Sequence, residues 1–281
     1  MPVLVMKFGG TSVASLDKIK SAAKSVALEV SAGHSVIVIV SAMAGKTNEL
    51  VDWVNETSPL YDAREYDAIV SSGENVTAGL MALTLQEMDI PARSWQGWQV
   101  PVRTSSAHSS ARIEEIPTEN IMNKFNEGMR VAVVAGFQGI SETYRVTTLG
   151  RGGSDTTAVA FAAAFEAIRC DIYTDVDGIY TTDPRITEKA RKLNKISFEE
   201  MLELASLGAK VLQTRSVELA MRFNVKLRVL SSFDKPECNA GTLVCSEEEI
   251  MESNIVSGIA PVSYTHLRAH ETSLHLVCRL L

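Results

Sequence analysis

The sequence predicts an α/β protein: a three-layer α-β-α sandwich around a largely parallel central sheet. Two patterns carry that expectation. Five apolar runs rich in β-branched residues recur along the chain, and stretches with helical periodicity lie between most of them. The runs are continuously apolar rather than alternating, as strands covered on both faces must be.

The elements follow in order. "VLVMKF" is a buried strand over residues 3–6, with Lys7 at its end and Gly9-Gly10 punctuating the chain before Thr11 and Ser12. Ser15 suits the N-cap of a helix to residue 30, with Ile19, Ala22, Val26 and Val30 on one face. A second strand, "SVIVIVSAM", starts at Ser35. Residues 61–88 carry a helical pattern interrupted by "SSGE". Val70, Val76 and Leu80 leave little room there for a wide polar face, so Glu74 reads as functional rather than as part of a solvated stripe. "RVAVVAGF" from Arg130 is the third strand, and an alanine-rich helix spans residues 155–167, with Ser154 and Asp155 as capping residues. "CDIYTDV" from Cys170 and "KLRVLSSF" from Lys226 complete the strands.

The rhythm fails after Ala260. "PVSYTHLRAHETSLHLVCRLL" holds three of the five histidines, and His266 and His270 would share a helical face as a possible metal pair. The preferred reading is translated adaptor or vector read-through, excluded from the fold. The chain thus divides into residues 1–260, one folded domain, and 261–281, a foreign-looking tail.

Composition narrows the class. With 281 residues, 46% hydrophobic and 22% charged, the chain can bury a substantial core. A net charge of −7 argues against nucleic acid as a partner. Cys170, Cys238, Cys245 and Cys278 show neither CxxC spacing nor a disulfide-dense pattern. No signal peptide opens the chain and no apolar run is long enough to span a bilayer, so a soluble, reduced, cytoplasmic protein without membrane contact is expected.

In such folds ligands bind beyond the carboxyl ends of the strands. Four segments fall there: "KFGGTS", "VSAMAGKTNEL" (with Ser41, Lys46 and Thr47), "TTLGRGGSDTTA" (Gly150, Gly152 and Gly153 around Arg151) and "YTDVDGIYTTDPR" (Asp175, Asp177 and Asp183). Glycine-rich loops entering helix N-termini are natural anion sites. Two of them, each with one cation (Lys7, Arg151), suggest places for a polyanion and a carboxylate. Neither matches GxxxxGK[ST] or GxGxxG, so P-loop and Rossmann machinery are not implied. The aspartate-rich loop lacks EF-hand spacing and suits the wall of a nucleotide site, with Tyr180 and Arg185 adding a stacking face and a phosphate contact.

Taken together, "KFGGTSV", "SAMAGKTNEL", "SSGE", "GFQGI", "TTLGRGGSDTTA", "YTDVDGIYTTDPR" and "GAKVLQTRSVELA" resemble, in order and spacing, the aspartate kinases of the amino-acid kinase family, from about residue 3 to residue 259. One departure stands out: the common "VLHPR" is "VLQTR" here, with Gln213 and Thr214. The resemblance implies transfer of the γ-phosphoryl group of MgATP to the β-carboxylate of L-aspartate, giving 4-phospho-L-aspartate, the first step toward lysine, threonine and methionine. A carboxylate nucleophile is already ionised at neutral pH, so no general base is needed. By the same resemblance, Lys7 reaches the transferring phosphoryl group and Asp155 holds Lys7. Gly9, Gly10, Thr11 and Ser12 would face the phosphates. Arg151 would take the α-carboxylate of aspartate and Glu74 its ammonium group, with Ser41 and Thr47 completing the pocket. Thr174, Asp175, Tyr180, Arg185, Lys210 and Val211 would lie along the nucleotide. Mg²⁺ would be held mainly by ATP oxygens and water rather than by protein ligands. Family members usually continue into regulatory ACT domains sensitive to lysine or threonine, and the full-length protein is expected to be a homo-oligomer. Two alternatives remain at this point: a related kinase acting on another carboxylate or carbamate, and a non-catalytic nucleotide-binding or assembly module.

Overall fold

The computed structural model describes residues 2–208, 211–234, 240–250 and 258. Lys210 and the 261–281 tail lie outside the described residues.

The five apolar runs become five adjacent strands. They are β1 (Val3–Phe8), β2 (Ser35–Val40), β6 (Val131–Ala135), β9 (Cys170–Thr174) and β11 (Leu227–Ser231). Three further strands, β3 (Ala92–Trp95), β10 (Lys195–Ser197) and β12 (Thr242–Cys245), extend this sheet at its edges. Its order is β10-β12-β11-β9-β1-β2-β6-β3. Every adjacent pair is parallel except β11 and β12. Every residue of β1, β2 and β6 is buried, which explains why these runs show no alternation.

The remaining strands, β4 (Arg103–Thr104), β5 (Ile113–Glu115), β7 (Gln138–Ile140) and β8 (Val146–Thr148), form a second sheet in the order β5-β4-β7-β8. Strands of two or three residues are too short to show a period, so the sequence did not announce this sheet.

The helices are α1 (Leu16–Ser31), α2 (Lys46–Thr57), α3 (Ala63–Val70), α4 (Ser72–Gln86), α5 (Glu119–Asn126), α6 (Gly153–Ala164), α7 (Phe198–Ser206) and α8 (Thr214–Phe223). Ile19, Val26, Met81 and Leu85 of α1 and α4 pack on one face of the main sheet. Phe161, Met201 and Val217 of α6, α7 and α8 pack on the other. These are the three expected layers. None of the described helices is long and apolar enough to cross a membrane.

Two helix expectations need correction. The single pattern over residues 61–88 is two helices, with Ser71 closing α3 before α4 begins. Glu74 then faces inward and Val76 outward, 58% exposed, the reverse of an ordinary amphipathic helix. The alanine-rich helix starts at Gly153 and ends at Ala164 rather than spanning 155–167, so Ser154 and Asp155 sit inside its first turn and cap nothing. The side chains that could have capped it are turned to Ser41 and Lys7 instead.

Candidate functional site

Strand order locates the site. From β1 the chain builds one side of the sheet with β2, β3 and β6, then crosses to place β9 on the other side of β1. The switch point is therefore β1, and the crevice beyond its carboxyl end is where a ligand fits such a sheet. Lys7 stands there, flanked by Ile39 and Ile172, largely buried. Its Nζ lies 2.5 Å from Asp155 Oδ1 in the first turn of α6, a close ion pair that is not aligned as a hydrogen bond. A buried ammonium needs such a partner.

A cleft of about 500 Å³ opens beside this pair. Ser41, Thr47, Glu74 and Arg151, expected from sequence to hold the amino acid, all line it. So do Gly45 and Gly152, the N-cap residues of α2 and α6, both left-handed and neither supplying a side-chain cap. Two helix starts without side-chain caps thus border one cavity, an arrangement that favours an anion. Ser41 Oγ donates to Ser154 Oγ at 2.9 Å, tying the end of β2 to the start of α6.

Glu74 has the most perturbed environment in the cleft. It is 3% exposed, and its Oε1 accepts from Ala42 N–H at 3.0 Å. Its Oε2 is buried without a partner. Burial raises the carboxyl from 4.5 to about 7, and the Ala42 N–H only partly offsets this. The "SSGE" signal now has a physical cause. A Cβ on Gly73 would lie 2.8 Å from Ala42 Cβ, so only glycine lets α4 come close enough for Glu74 to meet that loop. Arg151, by contrast, is exposed and makes no ion pair among the described residues.

Of the residues expected along a nucleotide, Gly10 lines this cleft, whereas Gly9, Thr11, Ser12, Thr174, Asp175, Tyr180, Arg185 and Val211 lie outside its lining. Gly9 N–H and Ser12 Oγ both donate to Tyr173 O, and Ser12 and Ser232 hydroxyls are 2.5 Å apart. Ser232 N–H donates to Thr174 O. Thr11 is exposed, whereas Ser12 is buried with its hydroxyl already engaged. Asp175 is exposed, Tyr180 bonds Asp177, and Val211 is half-buried against the core. Arg185 is 88% exposed and paired with Asp183, whose carboxyl it holds below the usual range. Among the described residues no cluster of three or more His, Cys, Asp or Glu is arranged to hold a metal.

Sequence reasoning missed a second tier of the cleft. Tyr66, Ser109, Phe137 and Thr148 also line it. Asp67, fully buried, accepts from Thr148 Oγ1 at 2.6 Å, from Ser109 N–H and from His108 Nδ1, joining α3 to the cleft wall. The one available signal was an acid inside an otherwise helical stretch. A second cavity, about 270 Å³, lies between α1 and the β9-β11 face. Its charges are already matched, Arg228 with Asp171 and Glu29 with Arg169, so it lacks the unmet group that marks the cleft.

Fold and cleft together define a three-layer α/β protein with an anion-receptive crevice at the switch point of its sheet. Residues 2–231 match the Amino acid kinase family, and the chain belongs to that family. It is 52% identical over 262 residues to an aspartokinase of Rickettsia felis, covering 92% of this chain and 65% of the relative. It is 53% identical over 261 residues to an aspartate kinase of Pseudomonas putida, covering 92% and 62%. The chain thus spans a little under two thirds of the length of these curated relatives. Among solved structures it resembles the aspartate kinase from Synechocystis, with a TM-score of 0.76 and 46% identity over 86% of this chain and 40% of that one. It also resembles E. coli aspartokinase III in complex with aspartate and ADP, with a TM-score of 0.75 and 33% identity over 87% and 64%.

Proposed function

We propose that residues 1–260 form the catalytic domain of an aspartate kinase, which transfers the γ-phosphoryl group of MgATP to the β-carboxylate of L-aspartate. One observation carries the reading: a single cleft is lined by a buried carboxylate oxygen on Glu74 and by a cation, Arg151, neither of which has a partner among the described residues. An α-amino acid supplies the complement of each, an ammonium group and a carboxylate. The likeness to E. coli aspartokinase III, solved in complex with aspartate and ADP, supports the same pair of ligands.

The reaction asks little covalent chemistry of the protein. The β-carboxylate, ionised at neutral pH, attacks the γ-phosphorus in line. A bond forms from carboxylate oxygen to phosphorus, the bond from phosphorus to the β,γ-bridging oxygen breaks, and ADP leaves with that electron pair. Lys7 offsets charge on the transferring group, and Asp155 keeps the ammonium aimed at the strand end. Mg²⁺ would be carried mainly by phosphate oxygens and water, as suits a cation that dehydrates reluctantly. When bound, the ion would neutralise charge on the phosphate oxygens.

The test is ADP release by the purified chain with and without L-aspartate, with hydroxylamine trapping the acyl phosphate as a hydroxamate. Aspartate-dependent ADP and hydroxamate are expected in equal amounts. Turnover indifferent to aspartate would overturn the assignment.

A further inference from the structure

The geometry points to Arg215 as a positioning residue for this reaction: it fixes the turn that presents Arg151 without touching either substrate. The inference rests on the role proposed above for Arg151. Arg215 is the second residue of α8, partly buried, and makes no ion pair among the described residues. Its guanidinium instead bridges two main-chain carbonyls. Nη1 donates to Leu149 O at 2.9 Å and Nη2 to Ala111 O at 3.1 Å.

Those carbonyls belong to the two segments that frame Arg151. Leu149 opens the Arg151 turn, and Ala111 follows Ser109, which lines the cleft. The segments also touch directly, through Ala111 N–H to Thr148 O and at Gly150, whose Cβ position is 3.2 Å from Ser109 O. The turn needs such bracing. Gly150 and Gly152 both hold positive φ, +75° and +70°, and glycine loses more conformational freedom on ordering than any other residue. Gln213, one of the two departures in "VLQTR", closes the other end. A Cβ on Gly152 would fall 2.3 Å from Gln213 Cγ. The 213–215 segment therefore grips the turn on both sides of Arg151, and a guanidinium spent on carbonyls has its use in that grip.

The experiment compares Arg215→Gln, Arg215→Lys and Arg151→Ala in the full chain, with melting temperature as a check on folding. Loosening the turn should misplace Arg151 and weaken its charge-assisted contact with the α-carboxylate, a contact worth roughly 10- to 10²-fold in affinity, so aspartate KM should rise at least ~10-fold in Arg215→Gln. ATP KM and kcat should stay within about 2-fold, because only substrate placement is lost. Arg215→Lys keeps the charge but cannot span both carbonyls, and should fall between the wild type and Arg215→Gln. It also serves if Arg215→Gln folds poorly. A normal aspartate KM in both Arg215 variants, or ATP KM rising in step with it, would overturn the inference while leaving the site intact. A normal aspartate KM in Arg151→Ala would overturn the reading of the site itself.

Discussion

A carboxylate sealed between α4 and the loop after β2 has one N–H for two oxygens, and burial lifts its ionisation to about 7. The sign follows directly. The folded chain holds a proton on Glu74 that the unfolded chain has released, so this group's contribution to stability falls as pH rises from 4.5 through about 7. An ammonium ligand reverses the preference by favouring the charged form. Aspartate affinity should therefore strengthen as pH rises through about 7, and calorimetry should record proton release on binding below that pH. Glu74→Gln should abolish both the proton release and the pH dependence over that range. A pH-independent aspartate Kd in the wild type would remove Glu74 from the ammonium site. Lys7 answers to a different measurement, because its charge acts where the phosphoryl group moves. Lys7→Ala should lower kcat by at least ~10²-fold while ATP binding persists, and an unchanged kcat would end its proposed role.

Between residue and fold, the informative places are where an element breaks its own rules. Ser71 splits a continuous helical pattern, Gly73 follows in the first turn of α4, and the next residue is a buried acid. Sequence marked the spot as functional but gave the wrong geometry, because helical period alone cannot say which face turns inward when a second helix begins. The start of α6 misled for a similar reason: Ser154 and Asp155 are good caps by type, but tertiary partners claim their side chains. Gly73→Ala puts two effects in competition. Alanine gains up to about 1 kcal/mol over glycine in a helix interior, and less in a first turn such as this. The added methyl meets Ala42 Cβ at 2.8 Å, and overpacking of this kind typically costs about 1–3 kcal/mol. The clash should win. Gly73→Ala is expected to melt lower than wild type and to raise aspartate KM, since moving Ala42 also breaks its bond to Glu74. A variant more stable than wild type, with normal KM, would show that the loop yields without cost.

At the scale of the molecule, the two proposed anchors of the amino acid come from opposite sides of the sheet. Glu74 rides on α4, packed with α1 in one core, and Arg151 precedes α6, packed in the other. The cleft lies at the carboxyl edge of the sheet, lined by residues that follow β2 and precede α6, and Lys7 stands near the end of β1 beside it. This explains what was legible in advance. The central strands were readable because burial on both faces leaves a continuous apolar run, and the loops after them because glycines and charges interrupt those runs. The second sheet was not, because its strands are too short to show a period, and the Asp67 hub and the Arg215 clasp were not, because both depend on contacts between residues far apart in sequence. The same architecture bears on substrate choice. If ammonium and α-carboxylate are held as proposed by groups on two separate layers, the reach of the side-chain carboxylate toward Lys7 is set by the fold and cannot adjust with a single loop. Glutamate, one methylene longer, would arrive about 1 Å out of place, which is worth ~10²-fold in rate. L-Aspartate should therefore exceed L-glutamate by about that factor in kcat/KM, with most of the difference in kcat, because both amino acids satisfy the same two anchors. Comparable kcat/KM for the two would mean that the anchors move with the ligand, and that Glu74 and Arg151 do not measure its length.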